Sequence, residues 1–180
     1  MRVITGEARG RRLMALEGDD VRPTTDRVKE GLFNIIQFDI EGASVLDLFS
    51  GSGQLGIEAL SRGAKHCTFV DSSSLSIDCT KENLKSVGYL KKSSVFCGDS
   101  KSYISLSRDT FDIAILDPPY NKNILVDVLP LVADKMSQNG IIVCESGIKE
   151  ELPEKAGEFY LHREYKYGKI KLTTYRKKSE

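Results

Sequence analysis

The sequence predicts an α/β fold: a mostly parallel seven-stranded sheet with helices on both faces, preceded by a small N-terminal β-hairpin. From Ser44 to Cys144, short β-branched or apolar runs alternate with helix-like stretches, the pattern of successive βα units. After Pro153 the helical stretches stop and two strand-like runs follow one another, which suits an antiparallel pair closing the sheet. A length of 180 residues at 40% hydrophobic composition can bury enough surface for one domain without a second.

Val3-Ile4 and Arg12-Leu13-Met14 flank Gly6 and Gly10, so residues 1–20 read as a basic hairpin ahead of a core over residues 21–180. Thr24 or Thr25 then caps an amphipathic helix that buries Val28, Leu32, Phe33, Ile35 and Ile36. The core strands are expected at 45–49, 67–71, 94–97, 111–116 and 140–144. Helices at 55–60, 75–87, near Tyr103 and at 124–136 separate them, which places a parallel sheet between two helical layers. Phe159 to Arg163 and Lys169 to Tyr175, on either side of Gly168, form the closing pair.

No apolar run is long enough to span a bilayer, and the N-terminus lacks the pattern of a signal peptide, so a cytoplasmic protein without a membrane partner is expected. Cys67, Cys79, Cys97 and Cys144 are widely spaced, with no C-x-x-C pair and two histidines in the chain. They read as buried free thiols, and no metal site is expected.

The net charge is zero, but both ends are basic. Arg2, Arg9, Arg11 and Arg12 face Glu7 alone in the first twelve residues. Near the C-terminus Arg163, Lys166, Lys169, Lys171, Arg176, Lys177 and Lys178 oppose Glu164 and Glu180. A charge run is more often a solvated face than a site, yet two basic ends around an enzyme-like core suit a polyanionic substrate.

The segment from Asp47 to Gly56 runs from a strand end through a glycine loop into a helix, and Gly51, Gly53 and Gly56 fit G-x-G-x-x-G. That spacing alone fits a dinucleotide site, with Asp71 on the ribose. Asp47 separates the readings, because a carboxylate at the strand end repels a pyrophosphate and attracts a cationic cofactor. S-adenosylmethionine carries both an ammonium and a sulfonium charge. Asp71 would accept from its ribose hydroxyls and Asp99 from its adenine amine, both at carboxyl ends of strands that converge on one crevice. Each aspartate taken singly also fits a helix cap, with Ser72 and Ser100 as the following residues.

Asp117-Pro118-Pro119-Tyr120 follows the strand 111–116 and so lies at the same edge. An amine conjugated to a nucleobase is a poor nucleophile, so the chemistry is one of positioning. The Asp117 carboxylate and the Pro118 carbonyl can accept its two N–H groups and aim the lone pair, while Tyr120 offers a ring for the base to stack on. The alternative is a rigid proline turn whose aspartate caps the next helix.

Together with Arg22-Pro23-Thr24-Thr25-Asp26-Arg27-Val28-Lys29-Glu30 and Glu58-Ala59-Leu60-Ser61-Arg62-Gly63-Ala64, these motifs resemble the RsmD family over nearly the whole chain. That family comprises bacterial guanine-N2 methyltransferases acting on 16S ribosomal RNA. The resemblance implies a class I Rossmann-like methyltransferase fold, S-adenosylmethionine as methyl donor, and a monomer acting on 16S rRNA or a small ribosomal subunit particle. By position it implies that Thr25 and Arg27 contact the methionine tail of the cofactor. Asp47, Phe49, Gly51 and Gly53 would shape the pocket, Asp71 and Asp99 with Ser72 and Ser100 would hold the adenosine, and Asp117 to Tyr120 would bind the target base. Arg9, Arg11 and Arg12, in the hairpin, would contact RNA. Gln54 departs from the small residue expected there.

Three rivals follow from the same motifs. An adenine-N6 methyltransferase could use the tetrapeptide equally well. A glutamine-N5 protein methyltransferase would more often carry asparagine at the position of Asp117. A non-catalytic RNA-binding module would have little need of intact motifs.

Overall fold

The computed structural model describes residues 1–17, 25–120 and 122–178. Thr25 is the cap of helix α1 (Asp26–Ile35), its hydroxyl accepting from Val28 N–H at 3.4 Å. Thr24 and the expected boundary at residue 20 lie outside the described residues. Then come β1 (Ser44–Asp47), α2 (Gln54–Ser61), β2 (His66–Asp71), α3 (Ser74–Val87), β3 (Ser93–Cys97), α4 (Ser100–Leu106) and β4 (Phe111–Leu116). The chain continues through α5 (Ile124–Ala133), β5 (Met136–Gly147), β6 (Lys155–Ala156), β7 (Phe159–Tyr167) and β8 (Ile170–Lys177).

The eight strands of the described residues form one sheet in the order β3-β2-β1-β4-β5-β8-β7-β6. The first five are parallel, and β8, β7 and β6 are antiparallel to their neighbours. The expected seven strands are therefore eight. The added strand, β6, has two residues and pairs Ala156 with Phe159 and Lys155 with Tyr160 across a turn in which Gly157 has φ 58°. A two-residue strand leaves no alternation to read.

The helix expected to reach Met136 stops at Ala133, because Met136 pairs with Phe111 and starts β5. Sheet pairing here overrides the helical run of the sequence.

Alternate residues of the central strands face opposite layers. Val45, Ile113, Ile115, Ile141 and Val143 join a core with α1, α2 and α3, while Leu46, Ala114, Leu116, Ile142 and Cys144 join one with α4 and α5. Of the four cysteines, Cys67, Cys79 and Cys144 are buried free thiols as expected; Cys97, at the end of edge strand β3, is exposed.

The N-terminal hairpin is shorter than a pair of strands. One antiparallel bridge joins Arg2 and Arg12, with Val3 N–H on the Arg11 carbonyl at 2.9 Å and Leu13 N–H on that of Met1 at 3.0 Å. Glu58 on α2 holds the hairpin down: its carboxylate accepts from Ile4 and Thr5 N–H, both at 2.9 Å, and pairs with Lys29 at 3.1 Å and Arg62 at 2.9 Å. Lys29 and Glu58 are both fully buried, and Lys29 also donates to the Arg2 carbonyl at 3.2 Å. A buried lysine in the middle of an amphipathic helix is explained by this network.

Candidate active site

The chain leaves β1 toward β2 on one side, while β4 lies on its other side, so the strand order reverses between β1 and β4. In an open α/β sheet, the crevice outside the carboxyl ends at such a switch is where ligands bind. A cavity of about 570 Å³ lies there. The loops after β1, β2, β3 and β4 line it with Leu48 to Ser52, with Asp71 and Ser72, with Gly98 to Lys101, and with Asp117 to Tyr120. Met1, Ala15 and Leu16 complete the wall from the N-terminal segment.

The loop after β1 is fixed from three sides. Asp71 Oδ2 accepts from Gly51 N–H at 2.9 Å, the Thr80 hydroxyl donates to the Gly51 carbonyl at 2.9 Å, and the Asn83 amide donates to the Ser52 carbonyl at 2.8 Å. Gly53 ends the loop at φ 80° as the N-cap of α2, a left-handed conformation that favours glycine. Gly56 serves contact rather than dihedral freedom, since a Cβ there would lie 2.3 Å from the Phe69 ring.

Asp47 lies beneath this loop and is 1% exposed. Its Oδ2 accepts from Gly56 N–H at 3.0 Å, and its Oδ1 has no hydrogen-bond partner among the described residues. Burial pushes the carboxyl up to about 7, against the pull of the Gly56 bond, and the Asp71 charge adds to the rise. Ser50, which lines the cavity, likewise has an unpartnered hydroxyl.

The three strand-end aspartates have different local duties. Asp71 does not cap α3, because Ser73 does so. Its Oδ1 instead accepts from Ser73 N–H at 2.9 Å, so both oxygens hold loop backbone in a residue that lines the cavity. Asp99 is the N-cap of α4, accepting from Ser102 N–H at 2.9 Å and its hydroxyl at 3.0 Å. Those bonds hold its carboxyl below the usual range, so Asp99 presents an anion to the adjoining cavity.

Asp117 leaves β4 half-buried, Pro118 is buried, Pro119 is exposed and Tyr120 is half-buried. The Tyr120 ring packs against the core beneath α1 to α3, and its hydroxyl donates to Glu145 Oε1 on β5.

Of the residues singled out from sequence, Phe49, Gly51, Asp71, Ser72, Asp99, Ser100 and all four of Asp117 to Tyr120 therefore line one cavity. Asp47, behind the glycine loop, and Gly53, at the end of it, are buried and not on the cavity wall. Thr25 caps α1 and Arg27 is exposed on that helix; neither lines the cavity. Arg9, Arg11 and Arg12 are exposed on the hairpin, with the Arg11 guanidinium on the Ser86 carbonyl. Gln54 is the first residue of α2, nearly buried and part of the wall.

Sequence reasoning missed Ser50, Lys101, Asn83, Glu145 and the N-terminal part of the wall. Glu145 carries the signal used elsewhere, a carboxylate ending a buried apolar run. Met1, Ala15 and Leu16 carry none, because their place depends on how the hairpin packs.

The basic C-terminus is partly neutralised within the fold. Lys171 pairs with Glu164 at 2.7 Å, Arg176 with Asp39 at 2.8 Å and Lys177 with Glu158 at 2.8 Å. Among the described residues, no helix is long and apolar enough to cross a membrane.

The family model described as "Conserved hypothetical protein 95" matches residues 1–176. The chain is 42% identical over 183 residues to "Putative rRNA methyltransferase YlbH" of Bacillus subtilis (strain 168), covering 99% of this chain and 100% of that protein. It is 32% identical over 184 residues to "Ribosomal RNA small subunit methyltransferase D" of Escherichia coli (strain K12), covering 100% of this chain and 91% of that one. The solved structure "Putative methyltransferase yhhF from Escherichia coli" superposes with a TM-score of 0.88 at 32% identity, covering 100% of this chain and 99% of the other. With the family model spanning nearly all of its residues and these relatives spanning its whole length, this chain belongs to the RsmD family of methyltransferases, the family of conserved hypothetical protein 95.

Proposed function

We propose that this chain methylates the exocyclic N2 amine of one guanine in 16S ribosomal RNA, with S-adenosylmethionine as the methyl donor and no metal. The observation that carries the reading is that Asp117-Pro118-Pro119-Tyr120 opens onto the same cavity as the loops bearing Gly51, Asp71 and Asp99. The two relatives, named as rRNA methyltransferases, supply the RNA, and the guanine-N2 position rests on the family resemblance.

The donor set fits this cofactor. The cavity volume is in the small-molecule range, roughly 300–1,000 Å³. Asp71 and Asp99 offer carboxylate oxygens at the end meant for the ribose and adenine. Ser50 Oγ, unpartnered among the described residues, lies on the cavity wall at the glycine loop, where an ammonium group would donate to it. Asp47 would act from behind the loop, and Thr25 and Arg27 would reach the methionine tail from the start of α1.

When bound, the cofactor supplies an electrophilic methyl group on a good sulfonium leaving group. The protein supplies position. Asp117 and the Pro118 carbonyl accept the two N–H groups of the amine and hold its lone pair toward the cavity. The two prolines fix the backbone φ of that carbonyl, and Tyr120 stacks on the base. Arg9, Arg11 and Arg12 bind phosphates of the 16S rRNA or of a small-subunit particle, and the protein acts as a cytoplasmic monomer.

The test is transfer of labelled methyl groups to 16S RNA and small-subunit particles from cells lacking this gene, followed by nucleoside analysis. N2-methylguanosine is the expected product. N6-methyladenosine, which the same tetrapeptide could make, or no transfer to either substrate would overturn the proposal.

A further inference from the structure

The carboxyl edge of the sheet holds a buried acid that the mechanism above does not use. Glu145 lies on β5 between β4 and β8, and it is 2% exposed. Cys144, one residue earlier, pairs with Leu116, the last residue of β4, so the register sets Glu145 level with Asp117. On its other side Glu145 pairs with Leu172 of β8. A residue held between two strands has little freedom to move, and its carboxylate receives the Tyr120 hydroxyl.

We propose that Glu145 is a positioning residue that fixes the plane of the Tyr120 ring for the incoming base. The inference rests on the reading of Tyr120 as the stacking residue. Two prolines hold the backbone before Tyr120, but they leave its side-chain torsions open. Packing against the core restrains the ring, and the bond to Glu145 pins the far end of the side chain. A ring held at its base, by the core and at its tip keeps one orientation toward the cavity that it lines. Because the base carries the reacting amine, a tilt of the ring is carried to the nitrogen, and displacements of this kind cost up to about 100-fold in rate. Glu145 touches neither the base nor the cofactor in this account, since it does not line the cavity.

The test is a double-mutant cycle on methyl transfer, with Tyr120→Phe, Glu145→Ala and both together, and with Glu145→Gln as the conservative variant. The proposal expects each single change to lower kcat by about 10- to 100-fold with cofactor affinity unchanged. The double variant should be no slower than the slower single one, and Glu145→Gln, which still accepts from a hydroxyl, should recover most of the rate. Losses that multiply in the double variant, or a Tyr120→Phe enzyme as fast as wild type, would overturn it. If Glu145→Ala does not fold, Tyr120→Phe alone carries the kinetic test and the fluorine resonance below tests the contact with Glu145.

A second readout does not depend on transfer. With 3-fluorotyrosine incorporated, the resonance lost in Tyr120→Phe identifies residue 120. Glu145→Gln should move that resonance, and an unmoved one would contradict the contact. Wild-type protein that transfers no methyl group would overturn the proposed function, and the fluorine resonance would still decide whether Glu145 holds the ring.

Discussion

The Asn83 side chain holds the backbone of Met14 with both of its polar atoms. Its Oδ1 accepts from Met14 N–H at 2.7 Å, and its Nδ2 donates to the Met14 carbonyl at 3.0 Å and to the Ser52 carbonyl at 2.8 Å. One buried amide on α3 therefore ties the glycine loop to the segment whose Ala15 and Leu16 wall the cavity.

Asn83→Leu should loosen both sides of the cavity at once. Leaving the Met14 and Ser52 groups unpaired should cost about 1–3 kcal/mol of stability, measured by denaturant unfolding. Cofactor affinity, measured by calorimetry, should fall as well. Unchanged affinity in a destabilised variant would show that the N-terminal wall does not contribute to binding.

Asp47 makes a pH-dependent prediction. Its folded carboxyl is raised from the ordinary 3.8 to about 7, so the folded chain holds this proton more tightly than the unfolded chain does. Its destabilising effect is absent below about pH 4, grows as the pH rises toward 7 and is complete above that. Asp47→Asn keeps an acceptor for Gly56 N–H and removes the charge. Its stability relative to wild type should therefore increase between pH 4 and pH 7, by on the order of 4 kcal/mol at most, while its cofactor affinity falls at pH 8. Urea unfolding across this range checks the first part. A stability difference that does not vary with pH would contradict the burial argument.

The exposed hairpin arginines should act through charge. Neutralising Arg9, Arg11 and Arg12 together should weaken RNA binding and reduce the salt slope by roughly two to three units, because each phosphate contact contributes about 0.9 or less. Filter binding over a range of salt concentrations measures it. An unaltered slope would move the phosphate contacts to the exposed Arg163, Lys166, Lys169 and Lys178 on the β7–β8 side.

The core strands were legible because their apolar periodicity and their loop residues point the same way. The strand at 111–116 matches β4 residue for residue, since it is a buried run bounded by a polar segment and Asp-Pro. The cavity lining was legible for a related reason, because acidic and glycine positions at successive strand ends must share one edge. What escaped depends on tertiary pairing. Met136 reads as the end of a helix until Phe111 is seen beside it. The burial of Lys29 has no signal in the sequence, because it depends on Glu58 and the Arg2 carbonyl being placed around it. Asp47 reads as a residue of the pocket, whereas its carboxylate holds the start of α2 from behind the loop.

The central claim is that the cavity holds the cofactor while Asp117 on its wall holds the amine, and Asp117→Ala tests it most directly. The measurement is cofactor affinity by calorimetry beside single-turnover methyl transfer to small-subunit particles. The account predicts nearly unchanged affinity with transfer abolished. Wild-type transfer by the variant would contradict the role of Asp117, and loss of cofactor binding together with transfer would show that the two halves of the site cannot be assigned as they are here.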